Sequence, residues 1–225
     1  MTDLVWDEAT YLAAYDLQAP FDLPAQGLVK GQRYGYSLPF YLFNPHVWVE
    51  RFQQLSAKVQ MSMGSSIMVV GCGFGYSIQF AREQLQAGRI WGTDISPYIQ
   101  ANKSDPAFCD QTIASSIFNV DITAPDAADQ FKALGTTGNG RFNWVFTEFV
   151  VESIDPLGLQ VFLDACDALR VGPGGVVHLF AGLLDDASAH DQSLGMRWRT
   201  LSEWVAERPG HFWLDVHGYQ IGGGV

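Results

Sequence analysis

Basic side chains are scarce. Of 225 residues only 13 are Lys or Arg, against 24 Asp or Glu, so the formal net charge is −11. The few cations form no cluster. That opposes tight, non-specific binding to nucleic acid and to anionic membrane surfaces, both of which need basic patches. Cysteine is scarcer still. Cys72, Cys109 and Cys166 are odd in number, far apart and without a CxxC pair, which argues against a disulfide framework or a zinc knot and for three buried thiols. Long apolar runs are missing too: no stretch approaches the roughly 20 residues of a membrane-spanning helix. The first ten residues, MTDLVWDEAT, are acidic and lack the basic-then-apolar order of a signal peptide. The expectation is a soluble, cytoplasmic protein with no membrane partner.

What is present is apolar material, 48% of residues against 16% charged. That opposes disorder and supplies one sizeable core. Residues 1–60 are rich in aromatics and prolines, among them Tyr34, Tyr36, Tyr41, Pro20, Pro24, Pro39 and Pro45. They read as a helical and loop cap belonging to the same domain, with helices over Asp7–Leu17 and from Asn44. The three tyrosines either cover apolar surface, the favoured reading, or close over a site as a lid. Residues 61–225 read as the core. Strands are expected at Ile67–Val70, Arg89–Gly92, Ile117–Ile122, Phe142–Phe149, Val176–Ala181 and near Phe212–Val216. Helices are expected over Tyr76–Ala87, from Ser96-Pro97 to Lys103, over Ala127–Leu134, from Asp155-Pro156, and near Trp198–Glu207. Gly172-Pro173-Gly174-Gly175 reads as a tight turn. Alternating strands and helices with short connections imply an α/β fold, a mostly parallel sheet covered on both faces. In such sheets ligands bind at the carboxyl ends of the strands.

The strongest signal sits at the first of those ends. Val69-Val70-Gly71-Cys72-Gly73-Phe74-Gly75-Tyr76 lies between an expected strand and an expected helix, the context a nucleotide-binding loop requires. Glycine permits the tight turn and lets backbone approach a ligand. An ordinary glycine turn has the same composition. Tyr76 stands where a dinucleotide loop wants Gly or Ala, which disfavours NAD or FAD. Asp94 ends the second expected strand, and a carboxylate there can accept hydrogen bonds from both hydroxyls of a ribose.

Together the VVGCGFGYS loop, GTDIS, FNVDIT, FNWVFTEFVVESI and LRVGPGGVVHLF resemble the class I (Rossmann-like) S-adenosylmethionine-dependent methyltransferases over about residues 65–182. The resemblance implies a seven-stranded sheet of order 3-2-1-4-5-7-6. It implies S-adenosylmethionine (SAM) as cofactor and S-adenosylhomocysteine (SAH) as product. The loop of Gly71, Cys72, Gly73 and Gly75 would face the methionine moiety. Asp94 would hold the ribose and Ile95 would lie against the adenine, with Asp121 and Ile122 at its amino group. Only 43 residues follow Gly182, short for a helix and the usual two-strand hairpin. The edge there is either shortened or completed by a partner chain, a homodimer being one such assembly.

Methyl transfer from a sulfonium is an in-line displacement that needs orientation and desolvation more than acid–base machinery. No nucleophile elbow is present. Glu148, after the fourth strand, is the candidate proton acceptor, and Glu152 reads as a solvated or helix-start carboxylate. The Asp/Asn-Pro-Pro-aromatic tetrad of amino-methylating DNA enzymes is replaced by Thr147-Glu148-Phe149-Val150. That points to a small molecule or a protein side chain as acceptor for O- or N-methylation. Three alternatives stay open: a non-catalytic SAM- or nucleotide-binding protein of the methyltransferase fold and, less favoured, an NAD-type oxidoreductase or a nucleic-acid methyltransferase. Asp185, Asp186, His190 and Asp191 read as a solvated loop, His46 and His178 as structural, and no metal is expected.

Overall fold

A computed structural model of the chain describes residues 64–73, 75, 78, 82, 88–95, 97–105, 111–122, 124–133, 142–148, 150–151, 154, 158–180, 199–215 and 221–224. The cap over 1–60, with its candidate lid tyrosines, His46, the Asp185–Asp191 cluster, Cys109 and Glu152 lie outside these residues. So does most of the expected Tyr76–Ala87 helix, of which Ile78 and Arg82 are helical.

Among the described residues the elements in chain order are β1 (Ser66–Val70), β2 (Arg89–Thr93), α1 (Pro97–Asn102), α2 (Gln111–Ala114), β3 (Ile117–Phe118), α3 (Ala127–Ala133), β4 (Phe142–Glu148), α4 (Leu159–Leu169), β5 (Arg170–Phe180), α5 (Leu201–Glu207), β6 (Phe212–Asp215) and β7 (Ile221–Gly223). The strands form one seven-stranded sheet. All neighbours are parallel except β6 and β7. Both faces are buried, as parallel sheets require. On one face Met68, Val70, Val145, Val176, Phe180 and Trp213 pack with Phe131 of α3, Phe162 and Cys166 of α4 and Trp204 of α5. Trp204 and Trp213 stack at 5.6 Å, and Phe142 meets Phe131 and Trp91 edge to face. On the other face Ile67, Val69, Trp144, Phe146, Val177, Leu179, Phe212 and Leu214 are buried as well.

The strand order is β3-β2-β1-β4-β5-β6-β7. This corrects the expected order 3-2-1-4-5-7-6. A strand inside a sheet must offer a hydrogen-bonding edge on both sides. Four-residue β6 is buried throughout and lies parallel to β5 in that role. Three-residue β7 pairs Ile221, Gly222 and Gly223 with Leu214, Trp213 and Phe212 and takes the rim, as a short glycine-rich strand does. The hairpin is short, as the sequence implied.

Two further expectations change. The Gly172–Gly175 turn lies within β5, which starts at Arg170 directly after α4. The turn survives as an excursion from the ladder: Phe142 pairs with Arg170, and Trp144 already with Gly175. A Cβ on Gly174 would overlap the carbonyl of Asn143. Asn143 is itself fixed, its Oδ1 accepting from Ser66 N (3.0 Å) and Ser66 Oγ (3.1 Å), and its own N–H donating back to Ser66 Oγ. The strand expected over Ile117–Ile122 stops at Phe118, because β2 ends at Thr93 and the Thr93 side chain takes over. Its Oγ1 donates to the Val120 carbonyl (2.5 Å) and accepts from the Val120 N–H (3.1 Å).

Helix α5 starts at a capping box. Thr200 Oγ1 accepts from Glu203 N–H, and Glu203 reaches back to the Thr200 N–H. Thr200→Ala is expected to cost about 1 kcal/mol in chemical denaturation. Gly174→Ala, with no room beside Asn143, is expected to cost about 2 kcal/mol or more. Equal, small losses for the two variants would contradict this assignment.

Candidate cofactor site

The sheet brings one residue from each strand into a single lateral row. In register from one rim to the other these are Phe118, Thr93, Val70, Thr147, His178, Trp213 and Gly222. The first four stand at or within one residue of the carboxyl ends of β3, β2, β1 and β4. The order reverses between β1 and β4, so this rim is the topological switch point where parallel sheets take ligands.

The glycine loop begins one residue past Val70. Gly71, Gly73 and Gly75 all have positive φ, 69°, 54° and 82°, which side chains other than glycine rarely tolerate. The loop turns across β2 instead of extending β1. The Thr93 carbonyl accepts from both Gly71 N–H (2.8 Å) and Cys72 N–H (3.1 Å), and Gly75 N–H returns to the Cys72 carbonyl (2.8 Å). Gly92 makes the crossing possible: a Cβ there would overlap Cys72 Sγ and stand 2.5 Å from Ile78 Cδ1. Gly75 packs less closely, its hypothetical Cβ 2.8 Å from Ile113 Cδ1 and 3.0 Å from Ile117 Cδ1.

Asp94 closes the arrangement. It is buried, and its Oδ2 accepts the Gly73 N–H at 2.9 Å. Its own N–H donates to the Phe118 carbonyl (3.1 Å). Gln100 Nε2 holds the Asp94 carbonyl at 2.6 Å and the Phe118 carbonyl at 3.3 Å. A residue whose backbone is held on both sides and whose carboxylate is linked to a loop amide is a preorganised hydrogen-bond acceptor. Ile95, next along, is 56% exposed, a large apolar side chain held in solvent.

The other candidates fall around this core. Cys72 is buried under the loop, so its thiol supports the turn. Asp121 is exposed, and it follows Val120, which the Thr93 hydroxyl holds. Ile122 packs in the main core cluster. Glu148 ends β4 opposite Leu179 of β5, and its side chain lies outside the described residues. Among the described residues no group of three His, Cys, Asp or Glu is placed to hold a metal, and no helix is long and apolar enough to cross a membrane.

Sequence reasoning missed Thr93, Gln100, Gly92 and the short helix α2. For Gly92 a signal was available, since an isolated glycine inside a strand marks close backbone approach. Nothing local announced Gln100 or Ile113, which act through contacts to distant segments.

No protein-family model matches the chain, and no curated protein matches it. Solved structures do. The chain is 15% identical to the plantazolicin methyltransferase BpumL in complex with SAH, over 89% of this chain and 73% of that one, with a TM-score of 0.56. It is 16% identical to a methyltransferase in complex with the Haloferax volcanii Trm112 methyltransferase activator, over 81% and 74%, with a TM-score of 0.54. It spans 57% of the length of Streptomyces venezuelae DesVI, at 17% identity over 66% of its own length and a TM-score of 0.44. At these identities the likeness is one of architecture, and the chain has the Rossmann-like fold of the SAM-dependent methyltransferases.

Proposed function

We propose that the protein is a SAM-dependent methyltransferase acting on a small molecule or a protein side chain. One observation carries the reading: the glycine loop after β1 is hydrogen-bonded through Gly73 N–H to the buried carboxylate of Asp94 at the end of β2. The loop and the acidic residue are the two features that a nucleoside with a charged tail would contact. In this reading Gly71, Gly73 and Gly75 give backbone access to the methionine part of SAM, and Cys72 backs the turn. Asp94 accepts from the ribose hydroxyls, and exposed Ile95 supplies an apolar face to the adenine. Asp121 takes the adenine amino group, with Ile122 anchoring its turn in the core.

The reaction is a displacement at the sulfonium methyl carbon. SAM, when bound, would supply an electrophilic methyl group: the acceptor's lone pair would form the new bond to it while the carbon–sulfur bond breaks, its electrons going to the sulfur of the departing SAH. The acceptor oxygen or nitrogen then gives up one proton, for which Glu148 is the proposed acceptor. The protein's main contribution is to hold donor and acceptor in line away from water. The net charge of −11 supports an acceptor other than nucleic acid. The same arrangement also fits a protein that binds SAM without turning it over, and conversion of SAM to SAH with candidate acceptors separates the two.

A second reading has one observation in its favour. With β6 directly on β5, the first six strands follow the order 3-2-1-4-5-6, which dinucleotide-binding sheets share. Tyr76 after the third glycine opposes it.

Calorimetry decides between these. SAH is expected to bind the wild type, and Asp94→Ala to weaken binding about 10- to 100-fold, the loss of one or two hydrogen bonds to a charged group. Gly92→Ala is expected to displace the loop, abolishing measurable SAH binding and costing about 1–3 kcal/mol of stability. NAD binding by a well-folded wild type that ignores SAH would overturn the methyltransferase reading.

A further inference from the structure

A chain of buried polar groups crosses the sheet on the α4 face, apart from the glycine loop. Thr147 Oγ1 of β4 is 2.7 Å from His178 Nδ1 of β5. His178 Nε2 is 2.8 Å from His211 Nδ1, just before β6. His211 Nε2 is 3.1 Å from Asp167 Oδ1 of α4. Thr147 and His178 are inaccessible to solvent, His211 is almost so, and Asp167 is half-exposed. Arg208 fixes the outer end, donating to Asp167 Oδ2 at 2.8 Å and Asp164 Oδ1 at 2.5 Å.

The direction of each bond follows from Asp167. An ionised carboxylate only accepts, so His211 Nε2 carries a proton. If His211 is neutral, its Nδ1 is bare and accepts from His178 Nε2–H. His178 Nδ1 is then bare in turn and accepts from the Thr147 hydroxyl. Every bond points outward, from Thr147 to Asp167. If His211 is charged, the same distances are satisfied in reverse: His211 Nδ1–H donates to His178 Nε2, His178 Nδ1–H donates to Thr147, and the Thr147 hydroxyl must turn away. The two states differ by one proton, taken from solvent, and by the tautomer of His178.

We propose that Asp167, His211, His178 and Thr147 form a hydrogen-bond chain with two polarity states, in which His211 is the proton sensor and Thr147 a positioning residue at the switch point. Thr147 pairs laterally with Val70, the last residue before the glycine loop, and directly precedes Glu148. The hydroxyl's direction is thus set where β1 and β4 end together. Placing a cofactor above it rests on the methyltransferase reading; the chain itself does not.

The groups around the pair favour the outward state at neutral pH. Besides the two imidazoles, the charged groups acting on the pair are Asp167 of α4, Arg170 of β5 and Arg208 after α5; the elements packed there also carry Asp164 and Cys166 of α4, Glu148 of β4, Glu203 and Glu207 of α5 and Asp215 of β6. Burial is the largest effect on both imidazoles and holds each below the ordinary histidine value. For His178, the neighbouring His211 and Arg208 act in the same direction. For His211, the Asp167 carboxylate opposes the shift but does not cancel it. Burial also keeps the Cys166 thiol protonated. A base whose folded pKa is depressed stabilises the fold fully above its unfolded value, about 6.5, and loses that contribution as pH falls below it. The unfolding equilibrium should therefore rise by up to about tenfold per pH unit for each histidine below that point.

The test uses the full chain labelled with ¹⁵N. At about pH 7.5 both imidazoles are expected to be neutral with the proton on Nε2. On acidification His178 should move its proton to Nδ1 in the same transition in which His211 becomes doubly protonated. A His178 proton on Nδ1, or a charged His211, at the higher pH would overturn the proposal. So would two unlinked transitions. Asp167→Asn keeps an acceptor oxygen but removes the charge, and should move the His211 transition to lower pH while keeping the outward tautomers. SAH binding is then compared at about pH 7.5 and at a pH below the observed His211 transition. The wild type should weaken at the lower pH by about fivefold, the worth of one hydrogen bond. Thr147→Val should bind independently of pH between these values, and Thr147→Ser should restore the dependence. A pH dependence that survives in folded Thr147→Val would remove Thr147 from the role. Absence of SAH binding at both pH values would count against the methyltransferase reading and against the positioning role of Thr147, while the tautomers still decide the polarity switch.

Discussion

The crossing of the β1 exit over the end of β2 is the contact on which the site depends. Two amides of the glycine loop converge on one carbonyl, that of Thr93. This is possible only because residue 92 has no side chain in the way. Once the crossing is made, Gly73 N–H faces the Asp94 carboxylate and the loop is tethered at both ends. Thr93 also works on its other side, replacing the missing ladder beyond Phe118 with its hydroxyl. A single strand terminus thereby positions the loop, the acidic residue and the turn that carries Asp121. The packing behind it is tight: Gly75 against Ile113 and Ile117, Gly92 against Cys72 and Ile78. Tight packing transmits small displacements instead of absorbing them.

Much of this was legible in the sequence, and the reasons are local. The strands around Met68, Val145 and Val177 are short β-rich runs with clear punctuation, and all appear within a residue or two of their expected bounds, save for the early start of β5. The loop and Asp94 were legible because a run of glycines between strand and helix, followed by an acidic strand end, has few physical uses. The illegible parts depend on pairing between distant segments. Which of β6 and β7 would lie next to β5 was not written in either strand's composition, only in their relative lengths and in glycine content. The Gly172–Gly175 segment has the composition of a turn and behaves as one locally, yet Asn143 keeps it within the sheet. The Thr200 to Glu203 capping box was readable and would have placed the start of α5 correctly. The chain from Thr147 to Asp167 had no sequence signature at all. His178 read as structural, and nothing marked the four residues as neighbours.

The two halves of the sheet are stabilised differently. Around the carboxyl ends of β1 and β2 the close contacts are made by glycines and backbone amides, with Cys72, Ile78, Ile113 and Ile117 packed against them. Around β5 and β6 the space is filled by Trp204, Trp213, Phe162 and Phe180, with the paired histidines embedded among them. Arg208 joins these layers at the surface, bridging two carboxylates of α4 while its carbonyl accepts from the Trp213 indole.

The lengths of the outermost strands among the described residues bear on how copies of the chain behave in a crowded solution. β3 contributes two residues and β7 three, whereas β4 and β5 contribute seven and eleven. A sheet grows into fibrils or runaway oligomers by templating a new strand on an exposed rim, and rims of two or three residues offer little to template. The strong mutual repulsion of chains carrying eleven net negative charges acts in the same sense. Self-association of this molecule, where it occurs, would therefore draw on helices or loops in preference to either of these rims.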